Sequence, residues 1–420
     1  MSTLEPQELP LPTGHGASYN PMNSPDREDP YARYESLRRE EPASYSPMFG
    51  TWLISRYDDV RRILTDNRRF TTEGTYAKLT AGFEPEARVL LDRSHTLTAL
   101  NILASDDEHG RLRKPFHKFF TAQQIGKWEP MVRRQTSALI DDFSAGGPVD
   151  VMESLAYPLP LQGMFELLGV PYEDRALIRP GVEAVLACML ELVGPEHQVE
   201  TARRVLAYEA YLIELIEQRR ADPLDDLVSM GVQSMDSGPD GLRLPELVAL
   251  LSENLILAGY ETTAKAIGNA LYFLLTHREH WEQLIADPTL IPKAVEELFR
   301  LDAVVLGFFR FATEPVDLHG VTIPAGDSVL LLYASANHDE QHFPRPAEYD
   351  PGRPNLNDHL SFGYGLHYCL GAYLARLQLR MVLELLTTRH PGLRLVPDQE
   401  INWTANVSIR GLEHLLVTAT

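Results

Sequence analysis

Apolar residues recur at three- and four-residue spacing through most of the chain. The pattern predicts helices over about 29–40, 58–64, 108–120, 122–144, 151–168, 174–192, 197–220 and 224–232. The longest such pattern runs from about Leu244 to His277. Another runs from Ala372 to about Arg389, with Arg376, Arg380 and Glu384 recurring at four-residue spacing among apolar neighbours. The 244–277 pattern is apolar on nearly every face, which places it at the buried centre of the fold. Glu253, Asn254, Glu261 and Lys265 interrupt it, so it does not read as a membrane span. Strands are short: Thr51–Ser55, Val316–Ile323 and Ser328–Leu332. From Thr71 to Ala104 no clean period survives, and this reads as a long irregular segment. The proline-rich Phe343–Pro354 reads as having little regular structure. Residues 1–28 are polar and proline-rich, a flexible arm. Residues 29–420 contain no repeat or linker and read as one domain, mainly α with a small β portion.

Charge and cysteine usage narrow the classes. The net charge of −21 argues against nucleic acid or an anionic membrane as partner. Two cysteines, Cys188 and Cys369, make no disulfide framework and fit a reducing compartment. No apolar run marks the first thirty or so residues, so neither a signal peptide nor a membrane anchor is expected, and the expected location is cytoplasmic. Cys188, in Val185-Leu-Ala-Cys-Met-Leu, reads as a small core residue.

Cys369 lies in a different setting, Ser361-Phe-Gly-Tyr-Gly-Leu-His-Tyr-Cys-Leu-Gly371, immediately before the helix pattern that starts at Ala372. The positive end of a helix favours a thiolate, and the upstream glycines let backbone N–H groups turn toward the sulfur. A single thiolate so cradled suits an axial ligand of haem iron better than zinc, which needs about four ligands. The order Phe-Gly-x-Gly-x-His-x-Cys-x-Gly, at Phe362, Gly363, Gly365, His367, Cys369 and Gly371, resembles the haem-binding signature of the cytochrome P-450 monooxygenases.

From about Asp29 onward the chain is similar to the soluble bacterial members of that family. The resemblance implies the cytochrome P-450 fold, with haem b (heme b, iron protoporphyrin IX) between the long central helix and the Cys369 loop. It implies that Ala258-Gly259-Tyr-Glu261-Thr262-Thr263 is the family's oxygen-activating kink, a stretch whose glycine and threonines are poor helix formers. There Glu261 passes protons and Thr262 hydrogen-bonds the oxygen; Glu stands where Asp is commoner. His109 and Arg113, in Glu108-His-Gly-Arg-Leu-Arg113, match the family's propionate-binding pair, and Arg310 and His367 match two further propionate contacts. Pro115 departs from the pattern and leaves the geometry near Arg113 open. Glu297 and Arg300, at helical i,i+3 spacing, match the family's structural Glu-x-x-Arg pair, completed by Arg353.

The implied reaction takes O2 and two electrons from external partners, a ferredoxin and its reductase, and oxidises a small molecule, by hydroxylation or by epoxidation, coupling or demethylation. A basic stripe, Arg111, Lys114 and Lys118, offers a docking patch for an acidic donor or a solvated helix face. By family position Val304, Val305, Leu306, Gly307 and Val407 are pocket candidates, with Thr75–Ile102, Ala176–Val193 and Ser408 as further contacts. The apolar 304–306 run implies a largely lipophilic substrate, a specialised-metabolite intermediate. A haem-thiolate sensor without oxygenase activity is the rival reading. Glu261 and Thr262 weigh against it, since a sensor needs no proton relay.

Overall fold

The computed structural model describes residues 14–73, 82–103, 106–141, 143, 147–189 and 193–418. The molecule is built around one long helix with three consecutive parts: α-helical Leu244–Ala249, π-helical Leu250–Leu257 and α-helical Ala258–Thr276. Its start is held by Glu246, which accepts from the Arg243 N–H at 2.8 Å and closes a capping box. Arg111, from helix Asp106–His117, reaches across to the same carboxylate with bonds of 2.8 and 3.0 Å. Burial opposes charge on Glu246, but the Arg111 and Arg243 bonds win and hold its carboxyl at about 2. The basic stripe is therefore broken. Arg111 is an internal tie, and only Lys114 and Lys118 remain exposed. Pro115 is accommodated two residues before that helix ends.

Several expected elements differ for identifiable reasons. The segment over 122–144 divides into Ala122–Lys127 and Glu129–Asp141, because Pro130 has no N–H to continue the first ladder. The segment read as irregular, 71–104, contains helices Pro85–Leu91 and His95–Leu103. The second is capped from outside: Glu209, on helix Gln198–Ala221, accepts from the N–H groups of His95 and Thr96 at 2.9 Å and from the Ser94 hydroxyl. Residues 14–28, expected as a loose arm, are docked. Tyr19 is buried with its hydroxyl 3.0 Å from that of Tyr34, and Arg410 donates to the Glu28 carbonyl at 2.6 Å. The rest of the expected arm, 1–13, lies outside the described residues.

A five-stranded sheet flanks the helical body in the order Ala43–Ser46, Thr51–Ile54, Ser328–Leu331, Phe308–Ala312, Phe70–Thr71. Only the pairing of Thr51–Ile54 with Ser328–Leu331 is parallel. Phe308–Ala312 was not apparent as a strand, because its mid-strand Arg310 is buried at 5% exposure and spoils the alternation. Val316–Leu318 and Val321–Ile323 form a hairpin.

Glu297 and Arg300, on helix Ile291–Leu301, are both fully buried, as is most of Arg353. Arg300 donates twice to Glu297 at 2.8 Å, and Arg353 Nε donates to Glu297 Oε1 at 2.9 Å. The remaining guanidinium donors meet the carbonyls of Asn337, Pro346, Glu348, Pro344 and Arg345. A buried triad with its hydrogen bonds satisfied fastens the irregular 343–353 stretch to the helical core.

Candidate active site

The Cys369 loop folds back on itself: Cys369 N–H donates to the Phe362 carbonyl at 2.9 Å, and helix Ala372–Arg389 follows. Gly363 and Gly365 take φ of 68° and 74°, and a Cβ on Gly365 would lie 2.8 Å from the Leu64 carbonyl oxygen. Cys369 is accessible to its surroundings, whereas Cys188 is sealed in the core. The N–H groups that meet the sulfur come from Gly371 and Ala372, downstream of it rather than from the upstream glycines, with Arg113 and Arg376 nearby. Desolvation outweighs them and pushes the free thiol up. Beneath the loop, Arg376 lies 4.3 Å over the Phe362 ring and is gripped by Glu296 at 2.6 and 2.9 Å. Burial opposes charge on Glu296, but bonds from His359 and Arg376 take its carboxyl to about 2. Arg376 had shown only as a polar position on the helix face. The ion pair that makes it a support of the Cys loop comes from a distant helix.

On the central helix, Asn254 and Ala258 are exposed and Thr262 is partly so, one open line flanked by buried neighbours. The Thr262 hydroxyl donates to the Ala258 carbonyl at 2.7 Å. The expected irregularity at 258–263 lies just upstream, in the π-helical turn ending at Leu257. Gly259 points elsewhere than Ala258: a Cβ there would sit 3.1 Å from Met164 Sδ, so a larger residue would press on that side chain. Glu261 is held by Lys265 at 3.7 Å, and no hydrogen bond joins it to Thr262 among the described residues. Burial raises its pKa against the Lys265 charge. Lys265 itself donates to Thr404 Oγ1 and the Leu412 carbonyl, both at 2.9 Å, tying the helix to the C-terminal loop.

The four expected carboxylate-binding residues cluster around the N-terminal half of helix Asp106–His117. The His109 and His367 rings are 4.3 Å apart, and Arg113 Nη2 donates to the Tyr368 carbonyl at 2.6 Å. Arg310 is close enough to help lower the pKa of Asp106. Asp106 was not foreseen: it faces His367 Nε2 at 2.8 Å and accepts from the Thr71 hydroxyl at 3.1 Å. Burial, with the charges of His367 and Arg113, takes His109 down to about 4, so it enters as a neutral hydrogen-bonding group.

The pocket candidates divide. Val304 and Leu306 are core residues at 6% and 2% exposure, because successive residues of an extended segment face opposite ways. Gly307 is buried against the Leu331 carbonyl, leaving Val305 and Val407 partly open. Phe308, unforeseen, is open at 47%. Residues 75–81 and 190–192 of the wider contact stretches lie outside the described residues. These features suit haem. They supply one accessible sulfur flanked by N–H donors and arginines, a small residue, Ala258, on the open line of the central helix, and Arg113 and Arg310 as charges for two carboxylates.

Comparison with known proteins agrees. The Cytochrome P-450 family profile matches residues 187–390. The chain is 38% identical to the mycinamicin IV hydroxylase/epoxidase of Micromonospora griseorubida, over 98% of each chain. It is also 38% identical to the cytochrome P-450 monooxygenase PikC of Streptomyces venezuelae, over 92% of this chain and 90% of that one. The crystal structure of an intact type IV self-sufficient cytochrome P-450 monooxygenase matches with a TM-score of 0.88 at 34% identity, covering 99% of this chain and 54% of that one. Among the described residues no helix is long and apolar enough to cross a membrane. The mainly α architecture, the Cys loop and these matches together show that the chain belongs to the cytochrome P-450 family, oxidoreductases whose cofactor is haem b held by a cysteine thiolate.

Proposed function

We propose that the protein is a haem-thiolate monooxygenase that hydroxylates or epoxidises a largely lipophilic small molecule, a specialised-metabolite intermediate, and that Cys369 would supply the thiolate that holds the haem. The observation that carries this reading is the accessible Cys369 at the head of helix Ala372–Arg389, with the Gly371 and Ala372 N–H donors on its sulfur and the charges of Arg113 and Arg376 nearby. The haem, when bound, supplies the one-electron and dioxygen chemistry. The chain supplies the rest. Arg113 and Arg310 pair with the propionates, His109 and His367 add hydrogen bonds, and Asp106 orients His367. Val305, Phe308 and Val407 form part of the apolar wall. The names of two relatives, mycinamicin IV hydroxylase/epoxidase and 6-deoxyerythronolide B hydroxylase, support a natural-product substrate.

Glu261 and Thr262 would move protons toward the dioxygen site. Their arrangement requires Glu261 to let go of Lys265, since the carboxylate points to that amine rather than to the Thr262 hydroxyl. A raised pKa suits a carboxyl that must both take up and release a proton near neutrality. Electrons come from a ferredoxin and its reductase, which deliver the one-electron steps that haem chemistry needs. Exposed Arg61, stacked 4.6 Å over Tyr364 of the Cys loop, is the cation best placed to meet an acidic donor there.

Thr262→Ala tests the relay. With the hydroxyl gone, peroxide released per NAD(P)H consumed should rise severalfold while substrate affinity stays within about a factor of two. A two- to four-decade share of rate is typical for a positioned proton-transfer group, roughly 10²–10⁴. Unchanged coupling removes Thr262 from the mechanism.

A further inference from the structure

Among the described residues, the buried carboxylates of the core come with partners. Glu209 has Ser94 and two N–H groups, Glu246 has Arg111 and Arg243, Glu296 has Arg376, Glu297 has Arg300 and Arg353, and Glu261 has Lys265. Glu253 is the exception. It stands in the π-helical part of the central helix among buried Leu250, Leu251, Leu255, Ile256 and Leu257; its carbonyl accepts from the Ala258 N–H, but among the described residues no hydrogen bond or ion pair reaches its carboxyl. It is not sealed: Glu253 is partly open and adjoins Asn254, which begins the open line running through Ala258 to Thr262. The elements packed on this stretch carry, among others, His95, Glu166, Arg179, Glu183, Glu209, Glu246, Glu261 and Lys265, and none of these acts on Glu253; desolvation alone raises it to about 7. An unpaired carboxyl in apolar surroundings costs stability, and the same desolvation strengthens any cation that meets it. π-Helical turns are, moreover, frequent at ligand sites.

We propose that Glu253 anchors a cationic group of the substrate, a protonated or quaternary amine carried on an otherwise lipophilic molecule, about two helical turns from Thr262. The assignment rests on the monooxygenase reading and narrows its substrate class. A neutral substrate would leave the carboxyl unmatched; an amine charged at neutral pH supplies the partner that Glu253 lacks among the described residues.

The experiment compares two isosteric probes on the haem-loaded enzyme by calorimetry. They are 4-phenylbutyltrimethylammonium, which has no lone pair to ligate iron, and its neutral tert-butyl analogue. At about pH 8.5, where Glu253 is ionised, wild type should bind the cation at least about tenfold more tightly than the hydrocarbon. Glu253→Gln should abolish that preference and leave the neutral probe within about twofold. Equal binding of both probes by wild type overturns the proposal. So does a preference that survives in Glu253→Gln, or a variant that loses both probes alike. Glu253→Leu, which removes all polarity from the site, should behave as Glu253→Gln does. The reduced-CO spectrum reports separately on the haem-thiolate reading and should be the same in all three proteins.

Discussion

Cys369→Ser should abolish the thiolate signature of the reduced CO complex and reduce turnover by more than the roughly 10–100-fold typical of losing a residue that merely supports a metal ligand. Serine keeps the size of the side chain but is a far weaker donor to iron, and electron density pushed from sulfur is what favours O–O cleavage in this chemistry. Cys188→Ser is the matched control. Cys188 is fully buried, and burial pushes its thiol up to about 12, so it is inert as a ligand. Its replacement should leave the spectrum intact while lowering stability by about 1–2 kcal/mol for the buried hydroxyl. A thiolate spectrum that survives in Cys369→Ser, or disappears in Cys188→Ser, would reverse the ligand assignment.

Cys369 was legible because its surroundings are written locally. Positive-φ glycines, the loop-closing bond to Phe362 and the following helix all lie within a few residues of the sulfur. The central helix was legible for a related reason: a surface helix keeps one polar face, so a pattern apolar nearly all round places it at the core. What escaped depends on partners distant in sequence. Helix His95–Leu103 starts on a cap that Glu209 supplies from more than a hundred residues away, so the local pattern carries no start signal. The docked Tyr19 exchanges a hydrogen bond with Tyr34 inside a stretch whose composition reads as solvent-loving.

The same distinction runs through the site. Residue type and spacing pointed to Thr262, Ala258 and the cationic cluster, and the structure gives each a neighbour. It separates Ala258 from Gly259, which packs against Met164, and turns Glu261 toward Lys265. Val304 and Leu306 were misplaced because a short extended segment reveals its alternation but not which side faces the pocket. Glu253 had registered only as an interruption of an apolar run. Its significance lies in the absence of a partner, which sequence spacing does not display.

The buried Glu297–Arg300–Arg353 triad is where stability should respond most to one side chain. Arg300→Ala removes the bidentate partner of a fully buried carboxylate and leaves the carbonyls of Asn337, Pro346 and Glu348 without that donor. Breaking a buried pair from one side costs about 3–5 kcal/mol, because the remaining charge stays desolvated. Against a total of roughly 5–15 kcal/mol, that is enough to deplete the folded state at physiological temperature. Arg353→Ala should cost somewhat less, since Glu297 keeps both bonds from Arg300. The exposed pair Arg179–Glu183 has comparable geometry, 2.8 Å, but its side chains are 42% and 53% exposed. Glu183→Ala there should move stability by no more than about 1 kcal/mol. Urea unfolding of the haem-loaded variants, followed by far-UV circular dichroism, measures all three. The molecules that remain folded should turn over at the wild-type rate, since none of the triad's hydrogen bonds reaches Cys369 or Thr262. If Arg300→Ala shifts the unfolding midpoint no further than Glu183→Ala does, the triad is not what fastens the 343–353 stretch to the core.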